Sequence, residues 1–201
     1  RPRIFKSSKY IETNYEDDKN NIIAKYNQNG YRDAHIISDS IYKIDDKNMG
    51  IAITLDEGDK YYFRDISWVG NTKYDTAYLN RVLGIRKGDT YNKELLMTNL
   101  TYAEGGYDIS SLYMDDGYLF FNVEPVEVKV ENDSIDLEIR MFEGDQATIG
   151  KVSVTGNTKT NDHVAIRELY TKPGQLFSRS DVIRTTRELA ALGYFNAETL
   201  N

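Results

Sequence analysis

Val126, Val128 and Val130 alternate with Glu127, Lys129 and Glu131, and after Asn132-Asp133 the apolar set Ile135, Leu137, Ile139 and Met141 alternates with Asp136, Glu138 and Arg140. A period of two puts each set on its own face, so this stretch predicts a hairpin with one apolar side. An earlier stretch carries the same pattern: residues 37–44, a turn near Asp45-Asp46-Lys47-Asn48, then Met49, Ile51, Ile53 and Leu55. Residues 61–69 predict a single strand with Ile66 and Trp68 inward, closed by Gly70-Asn71, a pair suited to positive φ. A short helix is expected from a cap at Thr72 or Asp75 through Leu79, Val82 and Leu83 to a stop at Gly84. A second helix follows Asn92, with Leu96, Leu100, Ala103, Tyr107, Ser111 and Met114 on one stripe. Gly105-Gly106 interrupts that stripe at about 1 kcal/mol per glycine, which marks a site for a break or kink.

The pattern recurs. Ser67-Trp68-Val69-Gly70-Asn71-Thr72-Lys73 returns 86 residues later as Ser153-Val154-Thr155-Gly156-Asn157-Thr158-Lys159, and the same spacing relates Glu57-Gly58-Asp59 to Glu143-Gly144-Asp145 and Gly88 to Gly174. The chain therefore divides into the end of one unit (1–58), one whole unit (59–145) and the start of a third (146–201), an excised stretch of a tandem array. The fold class is α+β: tandem β-α-α-β-β modules, each a three-stranded mixed sheet covered on its apolar face by two helices. From Tyr91 to Gly117 is 26 residues, against 16 from Phe177 to Gly193, so the second copy's helical region is ten residues longer, about 15 Å if all helical.

Pro125 cannot donate to a ladder, which places its strand at the rim of the sheet. Such an edge is either protected by its charges or open to another chain by strand addition. The candidate docking positions are Glu124, Val126, Glu127, Val128, Lys129, Val130 and Glu131 in the whole unit, and Ile37, Asp39, Ile41 and Lys43 in the first. Gly58-Asp59 and Gly144-Asp145 leave only about four residues between one unit's last strand and the next unit's first, and are the candidate hinges.

A strand closed by Gly-Asn, a helix pair closed by Gly-Tyr and a hairpin ending in Glu-Gly-Asp together resemble the POTRA (polypeptide-transport-associated) module. Tyr26-Asn27-Gln28-Asn29-Gly30-Tyr31-Arg32-Asp33-Ala34 and Leu192-Gly193-Tyr194-Phe195 look like ends of the second helix in POTRA domains of BamA-type assembly factors. The resemblance covers the whole chain. It implies a periplasmic arm of an outer-membrane protein in a Gram-negative bacterium. That arm would receive unfolded outer-membrane β-barrel polypeptides and dock accessory lipoproteins, touching the membrane only through a C-terminal barrel absent from this chain. The chain departs from the pattern in carrying no barrel and in its long, glycine-interrupted helix. Related transporters for secreted adhesins and an assembly factor that translocates autotransporters also carry such modules. A division protein with a single module fits less well.

Composition narrows the remaining classes. A net charge of −7 argues against nucleic acid, whose affinity depends on Lys and Arg releasing counterions. With no cysteine there is no disulfide framework or thiolate metal site, and no apolar run approaches the roughly 18 residues of a membrane span. Arg1-Pro2-Arg3 begins no signal sequence. His35 and His163, in different copies, form no catalytic arrangement, and Asp45–Gly50 lacks the glutamate of a calcium loop. Asp115-Asp116, Glu16-Asp17-Asp18 and the Glu-Gly-Asp carboxylates read as solvated turns and helix ends. The expectation is a non-enzymatic polypeptide-binding scaffold without metal or cofactor, acting by strand addition. The rivals are a mechanical spacer and, more weakly, a carbohydrate-binding or hydrolase domain, to which the sixteen tyrosines lend some colour.

Overall fold

The computed structural model describes residues 11–155 and 161–193. Elements run α1 (Glu12–Gln28), β1 (His35–Lys43), β2 (Met49–Asp56), β3 (Tyr62–Val69), α2 (Thr76–Leu83), α3 (Lys93–Thr101), α4 (Ile109–Met114), β4 (Asn122–Glu131), β5 (Ser134–Phe142), α5 (Asp162–Ile166) and α6 (Arg179–Ala191). This is the α+β class expected. The chain packs as two compact units: one takes the described residues up to Asp65 with Lys87–Leu95 and Lys129–Asp136, the other Ile66–Arg86, Leu96–Val128 and the described residues from Leu137 onward.

In the first unit β1 and β2 form an antiparallel pair, with Ile41 opposite Ile51, Asp39 opposite Ile53 and a register shift between Ile36 and Ser38. Tyr42 lies directly opposite Gly50 and its ring occupies the space a methyl on that glycine would need. Tyr15, Ala34, Tyr61, Phe63, Tyr91 and Ile135 are buried in this unit, with the Phe63 and Tyr91 rings 5.0 Å apart. Among the described residues this sheet has two strands, where the expected module has three.

The complete sheet has the order β3-β5-β4. Arg64 meets Asp136, Ser67 meets the Leu137 carbonyl and Gly70 approaches Met141, so positions on β3 and β5 advance together and these strands run parallel. β4 turns back into β5 through Asn132-Asp133, with Asn132 at φ 53, so the sheet is mixed. In the second unit the core is built from Trp68, Leu79, Leu83, Leu96, Leu100, Ile109, Tyr113, Phe121, Val123, Leu137 and Ile139. α2 begins as expected at Asp75, whose carboxylate accepts from the Tyr78 N–H at 2.7 Å, and ends at Gly84 with φ 68.

Three expectations need correction. The second helix of the complete unit is two helices, α3 and α4, separated by Gly105 and Gly106 at φ 85 and 75. Asp108 restarts the chain: its buried carboxylate accepts from the Ala103 N–H, the Ser111 N–H and the Ser111 hydroxyl at 2.8–3.1 Å. The ten extra residues therefore make a loop instead of 15 Å of added helix, and Tyr107, expected on the buried stripe, is 83% exposed. Second, the apolar alternates of β4 are not all core: Val128 and Val130 are 51% and 42% exposed, because periodicity reports a face and not how far cover extends along a rim strand. Third, Val152 and Val154 carry no ladder; the copy of β3 is reduced to one bridge between Thr148 and Leu176. β3 is held by β5, and no such strand follows α6 within these 201 residues. The repeat's Gly156-Asn157-Thr158-Lys159 and the closing Tyr194-Phe195 lie outside the described residues.

Candidate functional site

The proline argument locates the rim correctly: β4 is the outer strand, and no strand pairs with its far side among the described residues. Glu124, Val128, Lys129, Val130 and Glu131 are exposed, while Val126 and Glu127 are half-buried. On the polar face Arg64 of β3 clamps Asp136 of β5 through two bonds of 2.6 Å and reaches Glu131 of β4 at 2.9 Å, and Lys129 completes the ladder to Glu131 at 2.6 Å. Both carboxylates are held below their ordinary values, Asp136 by Arg64 and Glu131 by Lys129 and then Arg64. These charges tie the three strands together across the face and leave the outer backbone row of β4 uncovered by them.

In the first unit Ile37 sits at the register shift of β1, and Asp39, Ile41 and Lys43 continue along the same face as Met49, Ile51 and Ile53. Asp39 is 3.5 Å from Lys19 of α1, and Lys43 pairs with Asp46 at 2.6 Å. His35 lies with Nδ1 3.0 Å from the Asp33 carbonyl. Among the described residues no group of His, Cys, Asp or Glu could hold a metal ion, and no helix is long and apolar enough to cross a membrane.

Gly58 and Gly144 adopt φ 65 and 69, a region that disfavours any side chain, which is why glycine stands at both candidate hinges. The chain just beyond each is pinned. The Tyr61 N–H donates to the Gly30 carbonyl at 2.9 Å, and the Ala147 N–H donates to the Gly117 carbonyl at 2.8 Å. The equivalence continues bond by bond: Phe63 to Asp89 and Ile149 to Gln175, Gly88 to Phe63 and Gly174 to Ile149, Tyr91 to Tyr61 and Phe177 to Ala147, all at 2.7–2.9 Å. The isolated bridges Tyr62–Thr90 and Thr148–Leu176 repeat at the same spacing. Every one of these bonds joins main chain to main chain.

Side chains decorate the two junctions differently at matched positions. At the first, the Gln28 amide donates to Glu94 at 2.6 Å and Asn92 donates to the Gln28 carbonyl at 3.2 Å. At the second, Asp115 accepts from the Ser178 hydroxyl at 3.2 Å and the Ser180 N–H at 2.7 Å. Arg179 lies over the Tyr102 ring of the glycine loop at 5.3 Å.

The Glu-Gly-Asp glutamates, expected as solvated turns, are structural. Glu143 accepts from the Thr72 N–H at 2.8 Å, the Lys73 N–H at 3.0 Å, the Thr72 hydroxyl and the Tyr113 hydroxyl at 2.9 Å. Burial works against its charge, but these donors outweigh it and hold the carboxyl below its ordinary value of 4.5. Burial and the neighbouring Glu143 push the Tyr113 phenol up. Glu57 meets Tyr26 in the same way, at 3.5 Å. The signal in the sequence was the joint recurrence of a tyrosine four residues before Gly-Tyr and the glutamate of Glu-Gly-Asp.

An 86-residue unit whose start bonds to the glycine closing the previous helix pair is the geometry against which known proteins can be compared. The model of the POTRA family, described as a surface antigen variable number repeat, matches residues 61–144 and again 147–201. The chain belongs to the POTRA family. It is 25% identical over 97% of its length to a putative outer membrane protein assembly factor of Treponema pallidum (strain Nichols), and 26% identical over 96% to the outer membrane protein assembly factor BamA of Neisseria meningitidis serogroup B. It spans 23% and 24% of those proteins, so about a quarter of the curated relatives' length. Its fold resembles POTRA3-5 of Haemophilus influenzae BamA, with TM-score 0.69 and 21% identity over 96% of this chain and 74% of that one. The POTRA resemblance read from the sequence, including its likeness to BamA-type units, is thus met.

Proposed function

We propose that this POTRA array is a non-enzymatic, periplasmic polypeptide-binding scaffold of an outer-membrane β-barrel assembly factor. Extended segments of unfolded outer-membrane proteins add as strands along β4 at residues 124–131 and along β1 at residues 37–44. Accessory subunits dock on the same modules. The units divide at 1–58, 59–145 and 146–201, with Gly58-Asp59 and Gly144-Asp145 as the bending points. The observation that carries the reading is the uncovered outer edge of β4 in a chain similar to named assembly factors. Each added backbone bond contributes about 0.5–1.5 kcal/mol net, so a short client binds weakly and with little sequence preference. Such binding suits a surface that must release what it receives.

The test is a titration of the isotope-labelled 201-residue chain with an extended peptide of alternating polar and apolar residues. Amide shifts along β4 and β1 are expected; shifts confined to the helices would reject strand addition. The pinned junctions favour one second reading, a spacer that holds neighbouring modules at fixed spacing. For a spacer, charge reversal along β4 leaves assembly intact whereas deletion of a module abolishes it.

A further inference from the structure

The two hinge glycines are flanked by matched positions of opposite chemistry. Counting by the repeat, Arg32, Asp33, Asp56 and Tyr61 around Gly58 correspond to Leu119, Phe120, Phe142 and Ala147 around Gly144. At the first hinge the set is closed on itself. The buried Tyr61 ring donates its hydroxyl to Asp33 at 2.8 Å, the Arg32 guanidinium lies 5.8 Å from that ring, and Asp56 accepts from the Gly58 N–H at 3.1 Å. At the second hinge the polar residues have become apolar and the covering ring has become a methyl. Phe142 and Phe120 both border Gly144: a methyl there would lie 3.5 Å from the Phe142 ring edge and 3.7 Å from the Phe120 Cβ. Yet Leu119, Phe120 and Phe142 are 38%, 69% and 65% exposed. Single exposed apolar residues are ordinary, but two phenylalanines on either side of a glycine form a patch.

We infer that Leu119, Phe120 and Phe142 form an apolar notch that receives an aromatic side chain from an extended polypeptide lying along β4. The repeat itself identifies the occupant, because the corresponding place beside Gly58 is filled by the Tyr61 ring and the place beside Gly144 is left short by Ala147. The notch is continuous with the proposed docking edge: Phe120 precedes β4 by one residue, and Phe142 ends β5, the strand to which β4 is paired. A segment held by its backbone on β4 thus brings a ring at its end to the notch. The inference rests on the strand-addition reading and adds a side-chain preference to a mode that otherwise has little.

The experiment uses the 201-residue chain with a ten-residue peptide of alternating valine and threonine ending in tyrosine at both termini, and the same peptide ending in alanine. Burying one ring against the notch gives about a ten-fold tighter Kd for the tyrosine peptide. In the double variant Phe120→Asp/Phe142→Asp, which installs the residues of the first hinge, the two peptides converge. Its melting temperature checks folding, and Leu119→Ala supplies an independent, smaller loss. Equal affinities in the unaltered chain, or a tyrosine advantage that survives in a folded double variant, overturn the notch. If amide shifts still run along β4 in that case, strand addition stands alone. A tyrosine advantage without shifts in β4 keeps the notch and rejects the edge. Phe120/Phe142-dependent dimerisation, or binding to phospholipid vesicles in place of peptide, assigns the patch to a second copy or to a membrane and overturns it as well.

Discussion

The junction around Gly30 and Gly58 and the junction around Gly117 and Gly144 share one set of main-chain hydrogen bonds and almost no side-chain chemistry. At the first a packed, polar cluster surrounds the turn; at the second the cover is thinner and apolar. The difference teaches that the repeat conserves a backbone joint, while side chains decide how tightly each copy is packed and what it displays. A methyl on Gly30 would lie 2.6 Å from Thr90 Cγ2 and 3.1 Å from the Tyr61 carbonyl, whereas one on Gly117 meets only the flexible end of Leu176 at 3.2 Å at its closest.

The largest expected effect breaks that comparison open. Gly30→Ala combines a φ of 98 with a collision that cannot relax easily and should cost about 3 kcal/mol, against about 1–2 kcal/mol for Gly117→Ala, whose φ is 88. Urea titration of both variants checks the order; equal losses would mean that the packing around the two turns is the same. Next, Glu143→Gln should cost about 2 kcal/mol, because four donors lose a charged acceptor, while Glu57→Gln, with one long contact to Tyr26, should cost less than about 0.5 kcal/mol.

The same pair sharpens the comparison through pH. The Glu143 carboxyl is held below 4.5 in the folded chain, so its stabilisation is complete above that value and is lost as the pH falls through the lowered folded one. The stability difference between the native chain and Glu143→Gln should therefore shrink from pH 6 towards pH 3. A difference that stays constant, or grows on acidification, contradicts the assignment. The smallest effect is expected from Gln28→Ala and Asp115→Ala, about 0.5 kcal/mol each since both are exposed, with only the Asp115 loss growing in low salt.

Much of this was legible from pattern. Alternation found both hairpins, Asp75 and Gly84 bracketed α2, and Pro125 gave the rim of the sheet before any coordinates. The break at Gly105-Gly106 was visible as a site, but its outcome depended on Asp108, whose carboxylate caps α4 and ties back to Ala103. Sequence spacing cannot tell a buried cap from a solvated aspartate. The exposure of Val128 and Val130 was hidden for a similar reason, since the same alternation describes a covered strand and an uncovered one. Glu143 was misread because its donors lie about 70 residues away, at Thr72 and Lys73, and only the fold brings them together. The docking positions were legible as an edge, while the phenylalanines beside Gly144 became meaningful only once the repeat could be superimposed bond by bond.

The joints between repeats are fastened by amides and carbonyls, which every residue except proline supplies in full. Mutation can therefore repaint the surroundings of each joint, exchanging Arg32 for Leu119 or Tyr61 for Ala147, without undoing the clasp. An array built this way can diversify what successive members present to visitors while its spine keeps a common pitch.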